Sequence, residues 1–280
     1  MSGHPTAQAL PNVALCGPDG AQATVLLQGT HLLSWKPAGA GEQLYLSPAS
    51  ALAAGSPVRG GVPVVFPQFA KLGPLGQHGF ARPLPWQLDH ANSDAATAVL
   101  SLRDDATTRD LWPHKFTLSL RIKIMGRELL MELSCLNTGT TAFDFTSALH
   151  TYLALTDIDQ AKVFGLEGLP YTDAVDQQEK IQSEALFATT DQLNRVYRQC
   201  QPDLLLHEQQ GEAVRQIAIR QQGFSDVVVW NPGQALCATL PDMAPQGYRN
   251  MLCIEAAQLS QPVHLGPGQR WIGSQSLHLL

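Results

Sequence analysis

An all-β architecture, a sandwich or barrel, is what this sequence predicts, and three observations predict it. Apolar stretches are short and many, and Gly, Pro or Asn turns separate them. Phe116 to Met125 alternates apolar and polar residues with a clean period of two, and Leu129 to Asn137 returns after Gly126-Arg127 as its hairpin partner. Helical periodicity is scarce along the 280 residues. No domain boundary stands out, so 1–280 reads as one domain, near the ~200–250 residues that all-β units often reach.

Taken in order, residues 13–36 hold short strands, with Ala23 to Gln28 and Thr30 to Trp35 on either side of Gly29. Residues 37–58 are rich in Pro, Ala, Gly and Ser and read as a loop. Trp86 to His90 and Ala96 to Arg103 read as strands joined by the turn-prone Asn92-Ser93-Asp94. Phe143 to Leu155 is a further strand region. The stretch 174–187 suits a short helix or a polar hairpin, and periodicity does not choose between them. Gln216 to Arg220, Val227 to Trp230, Leu252 to Ala256 and Trp271 to Leu279 complete the strands, with Asn231-Pro232-Gly233 as a turn.

Between these elements lies 59–86, RGGVPVVFPQFAKLGPLGQHGFARPLPW. Its glycines let backbone approach closely and its prolines fix the loop. Arg59, Gln77, His78 and Arg82 stand among them, able to hold an oxygen-rich ligand. A structural loop whose arginines neutralise buried carboxylates has equal standing from chemistry alone.

Composition narrows the partners. Charged residues make up 15% of the chain, below the ~25% usual for soluble proteins, which fits a compact globule. A net charge of −6 disfavours a nucleic-acid binder, so an anionic ligand would need a local positive site. Cys16, Cys135, Cys200, Cys237 and Cys253 are odd in number and scattered, which suggests reduced thiols and a cytoplasmic protein. The N-terminus lacks the basic start and apolar core of a secretory leader, and no apolar run approaches the ~20 residues that span a membrane. Nucleotide loops, a serine-nucleophile elbow and metal-ligand spacings are not found, so neither nucleotide binding nor a metal site has support.

Two residues have the chemistry for proton transfer. In the strand around SALHTY, His150 shares a face with Ala148, Tyr152 and Ala154, while Leu149, Thr151, Leu153 and Leu155 form the better core face. The histidine face suits either a cleft or an ordinary structural role. Glu255 sits in the apolar MLCIEAAQ, where a carboxylate must be paired, protonated or functional. A histidine and a glutamate on neighbouring strands would make an acid–base pair.

RGGVPVVFPQF, QHGFAR with the following Pro-Trp, WPHKFTL, SALHTY, VVVWNPG and MLCIEAA stand in the order shown by the glucose-6-phosphate 1-epimerases, a branch of the aldose 1-epimerase group, which the sequence resembles over nearly its whole length. The resemblance implies a large antiparallel β-sandwich of the galactose-mutarotase type with its site in a sheet cleft. It implies exchange of the α and β anomers of a hexose 6-phosphate, foremost glucose 6-phosphate, without a nucleotide or redox cofactor; a monomer with no nucleic-acid or membrane partner is expected. It carries the acid onto His150, the base onto Glu255, and ligand contacts onto Arg59, Gln77, His78 and Arg82, with both arginines assigned by charge to the phosphate. Two departures are visible: Asn194 stands where the family usually has aspartate, and Pro83 follows QHGFAR where asparagine is common. Asparagine keeps the hydrogen-bonding shape and loses the charge, and Asp191 is the nearest substitute. The alternatives are a sugar-phosphate binding protein without activity and a mutarotase for unphosphorylated aldoses.

Overall fold

The computed structural model describes residues 10–189 and 191–280. Its strands pair antiparallel throughout the three sheets found among them. A small sheet joins Asn12–Cys16, Gln22–Leu26 and Leu32–Lys36. The cleft sheet runs in the order Gln178–Ile181, Pro170–Asp173, Leu193–Tyr197, Asp226–Asn231, Met251–Leu265, Phe143–Leu149 and Val64–Val65, with Tyr152–Ala154 also paired to the long Met251–Leu265. The outer sheet runs from Leu186–Phe187 through Ala161–Phe164, Leu204–Gln210, Ala213–Gln222, Arg270–Leu279, Glu128–Asn137, Phe116–Met125 and Thr97–Arg103 to Gln87–Leu88.

Side-chain alternation explains how the two large sheets stack. Leu118, Leu120, Ile122 and Ile124 leave the outer sheet on one face and meet Leu252, Ile254, Val227 and Val229 of the cleft sheet in one buried cluster. The polar partners of the outer strands, such as Arg121 and Lys123, point to solvent. On the other face of the cleft sheet a cross-strand row runs Glu255, Val228, Val196, Thr172, and a second runs Tyr152, Cys253, Trp230, Asn194. These two rows are the floor of the site.

The predicted hairpin is present with Phe116 opposite Asn137 and Met125 opposite Glu128, turning at Gly126 in the left-handed region. The ambiguous 174–187 stretch holds a polar hairpin, Pro170–Asp173 against Gln178–Ile181, followed by the short Leu186–Phe187. Residues 37–58 are loop, tethered by isolated bridges of Leu44 to Leu153 and Leu46 to Gly60. Two short helices were not legible beforehand. Ala106–Leu111 starts on an Asp105 capping box, and Gly233–Cys237 continues the predicted turn at 231–233. Each is too short to establish a helical period in sequence. The five cysteines are unpaired.

Candidate active site

The site forms where a strand pairing is interrupted. Phe143–Leu149 ends opposite Ala256, and pairing resumes with Tyr152 opposite Cys253. Between them the His150 amide donates to the Pro63 carbonyl at 3.1 Å, while Thr151 keeps contact with the long strand by accepting from the Ile254 amide at 3.1 Å. Alternation survives the break. Leu149, Leu153 and Leu155 lie in the sandwich core, and Ala148, His150 and Tyr152 turn toward the cleft. His150 Nε2 then stands 3.4 Å from Glu255 Oε1, just beyond ordinary hydrogen-bond length.

A cavity of about 390 Å³ opens over this pair, with Arg59, Gln77, His78, Asn194, Phe69 and Trp230 among its walls. Gly60 and Gly61 place Arg59 there. Both hold positive φ, and a Cβ on either would strike the carbonyl of Tyr45 or of Leu32. The Arg59 guanidinium donates from Nε and Nη2 to the Asp242 carboxylate at 3.2 and 3.1 Å, and from Nη1 to the Tyr152 hydroxyl at 3.2 Å. His78 is itself in the left-handed region, at φ 67°, an uncommon conformation for a residue with a side chain. Its Nδ1 accepts from the Ala70 amide at 3.2 Å, which leaves the ring proton on Nε2. Asn194 lies opposite Trp230 and faces the cavity, whereas Asp191 is exposed and outside the lining, so it does not replace the missing carboxylate.

Arg82 departs from the expected arrangement. It is not part of the cavity wall, and its Nη2 donates to the Gln77 carbonyl at 3.1 Å. Its charge still reaches the site, where it helps to disfavour protonation of His78 and His150.

Burial sets the charge state of the pair. Glu255 is 1% exposed, and among the described residues it has no arginine partner and its Oε2 has no hydrogen-bond partner. Desolvation therefore holds its carboxyl well above the usual range. Desolvation also pulls His150 well below its ordinary value, and His78, Arg59 and Arg82 add to the effect. Burial thus favours the neutral form of each partner. His78 is pulled down to about 4, first by burial and then by Arg82 and Arg59, so it is a neutral hydrogen-bonding group at physiological pH.

Sequence reasoning missed several contributors. Tyr152 stacks on the His150 ring with centroids 4.7 Å apart and 9° between planes, and Trp230 meets it edge-on at 5.9 Å. The period-two face placed Tyr152 beside His150 but gave it no role. Asp242 had no signal, because it lies 183 positions from the arginine it binds.

A profile of the aldose 1-epimerase family matches residues 11–278. A protein of Escherichia coli K12, provisionally named a glucose-6-phosphate 1-epimerase, is 37% identical over 266 residues, 89% of this chain and 86% of that protein. A relative from Cenchrus ciliaris with the same provisional name is 31% identical over 97% of this chain and 85% of its own. The crystal structure of a provisionally assigned mutarotase, YeaD from Salmonella typhimurium, superposes with a TM-score of 0.85 at 34% identity, over 96% of this chain and 90% of that one. The Synechocystis protein Slr1438, at 19% identity, shares the fold with a TM-score of 0.81 over 100% of this chain and 99% of its own. With cleft, fold and sequence in agreement, the chain belongs to the aldose 1-epimerase family and is a sugar epimerase.

Proposed function

We propose that the chain exchanges the α and β anomers of a hexose 6-phosphate, with glucose 6-phosphate as the leading substrate and His150 and Glu255 as the acid–base pair. The observation that carries this reading is the buried His150–Glu255 pair, 3.4 Å apart, on the floor of a cavity walled by Arg59. The provisional names of the relatives support the phosphorylated substrate.

The resting pair is primed by one internal proton transfer, from the Glu255 carboxyl to His150 Nε2. The carboxylate then takes the proton of the C1 hydroxyl while the imidazolium protonates the ring oxygen. The C1–O5 bond breaks and leaves the open aldehyde. Rotation about C1–C2 presents the other carbonyl face, and the reverse transfers close the ring. Each positioned proton transfer contributes roughly 10²–10⁴-fold.

The phosphate has a role in this scheme beyond anchoring. Arg59 and Arg82 are among the positive charges that disfavour imidazolium at His150. A phosphate held at Arg59 adds negative charge that offsets that repulsion and favours the acid form of His150. Phosphate on the sugar should therefore raise kcat as well as lower KM. His78 Nε2–H, the Gln77 amide and Asn194 would hold sugar oxygens.

One observation favours an unphosphorylated aldose instead: Asp242 already balances the charge of Arg59. NMR measurement of anomer exchange separates the two, using glucose 6-phosphate and glucose in parallel, with wild type beside Glu255→Gln. Fast exchange with the phosphate, lost in Glu255→Gln, is the expected result. Equal rates for both sugars would transfer the assignment to free aldoses. Binding of glucose 6-phosphate with no acceleration, regained by Asn194→Asp, would make this a binding protein that lost its charge at 194.

A further inference from the structure

The interruption that turns His150 toward the cleft also removes regular strand pairing beside both proposed catalytic residues. What replaces it comes from the opposite sheet. Gln275, on Arg270–Leu279 of the outer sheet, points into the sandwich and is 1% exposed. Its Oε1 accepts from the Thr151 hydroxyl at 2.5 Å, and its Nε2 donates to the Ile254 carbonyl at 3.0 Å. Thr151 directly follows His150, and Ile254 directly precedes Glu255. Thr151 is itself fully buried, and its carbonyl accepts from the Ile254 amide. One side-chain amide thus spans the two segments at the break, from the side opposite the cleft.

An amide in an apolar core has a desolvation cost that a leucine of similar size would avoid. Its cross-strand partners are Met131 and Gln221, and Leu277 on its own strand is fully buried. We infer that Gln275 is a positioning residue for the reaction: through Thr151 and the Ile254 carbonyl it sets the separation and facing of His150 and Glu255. The inference rests on the acid–base reading above, since it assigns Gln275 the task of holding that pair. The internal proton transfer between Nε2 and Oε1 is the step most sensitive to that separation, because it starts from a gap already longer than an ordinary hydrogen bond. Substrate contacts on the cleft side, at Arg59 and His78, do not involve Gln275, so binding should not depend on it.

The test is anomer exchange on glucose 6-phosphate for Gln275→Leu, Thr151→Val and Thr151→Ser, with pH–rate profiles and thermal melts for each. The expected result is a kcat reduced about 10–100-fold in Gln275→Leu and Thr151→Val, the size of effect expected for a misplacement of about 1 Å, with KM unchanged and the pH profile displaced. Thr151→Ser, which retains the hydroxyl, should recover most of the rate. A purely structural role would lower melting temperature and leave kcat per folded molecule and the pH profile as in wild type, and that outcome overturns the inference. If Gln275→Leu does not fold, the contrast between Thr151→Val and Thr151→Ser decides: equal rates in the two overturn it. Glu255→Gln in parallel separates the failures. If it keeps the rate, the acid–base reading falls and the inference with it. If it abolishes the rate while Gln275→Leu does not reduce it, the inference alone falls.

Discussion

Asp242 is the residue whose charge most alters the reading of the cleft. It sits within 3.1–3.2 Å of the Arg59 guanidinium and neutralises it, while the Tyr152 hydroxyl holds the same side chain from another direction. A phosphate brought to Arg59 must meet or displace that carboxylate. Removing the negative charge should therefore tighten binding of a phosphorylated sugar and leave a neutral one unaffected. Asp242→Asn is expected to lower KM for glucose 6-phosphate about tenfold, or ~1.4 kcal/mol, well inside the ~4 kcal/mol that two unit charges 4 Å apart exert near a protein surface. Steady-state kinetics on glucose 6-phosphate and glucose check it, and a raised KM would mean that Asp242 orients Arg59 rather than competing for it. Tyr152 keeps Arg59 in place in the variant, so the comparison reports charge and not a lost side chain.

At the level of elements, the strands that floor the cleft depend on a buried carboxylate at one end. Asp226 opens the strand Asp226–Asn231 and is fully buried. It accepts from the amides of Gln199, Leu259 and Ser260 at 2.9, 2.6 and 2.8 Å, and from the Ser260 hydroxyl at 2.5 Å. These bonds tie the ends of Leu193–Tyr197 and Asp226–Asn231 to the irregular part of Met251–Leu265, where the register shifts after Gln258. Asp226→Ala would strand three backbone donors with no partner. A loss of about 3 kcal/mol in unfolding free energy is expected, by the cost of unpaired buried groups, and chemical denaturation measures it. Asp226 is not among the residues lining the cavity, so anomer exchange by the folded fraction should remain.

For the whole molecule, pH dependence of stability has an identifiable source in His31. The ring is buried, its Nε2–H donates to the Gly60 carbonyl at 2.7 Å, and burial pulls its pKa down to about 4 from the ordinary 6.5. Between those two values the unfolded chain binds a proton that the folded chain refuses. Stability from this group is therefore full above pH 6.5 and is lost as pH falls toward 4, by up to ~3 kcal/mol. Melting temperatures from pH 7 to pH 4 should fall in wild type and fall less steeply in His31→Asn. Equal slopes in the two proteins would assign the acid sensitivity elsewhere. The contact matters to the site because Gly60 follows Arg59, so the same carbonyl anchors the loop that carries the cation.

The sequence by itself determined the all-β class, the 116–137 hairpin with its Gly126-Arg127 turn, and Glu255 as a carboxylate out of place in an apolar strand. These are local signals. Period two places every other side chain on one face, a glycine turn sets the pairing, and a carboxylate among apolar strand residues stands out without any knowledge of its neighbours. Tertiary structure alone decided the rest. It joined Arg59 to Asp242 across 183 positions, turned Arg82 to the Gln77 carbonyl, and left Asp191 outside the cavity. It brought His150 to 3.4 Å from Glu255 by interrupting a strand, and it spanned that interruption with Gln275 from the other sheet. Periodicity says which face a residue takes, whereas distances and charge partners across a cleft depend on how two sheets stack, which no local pattern encodes.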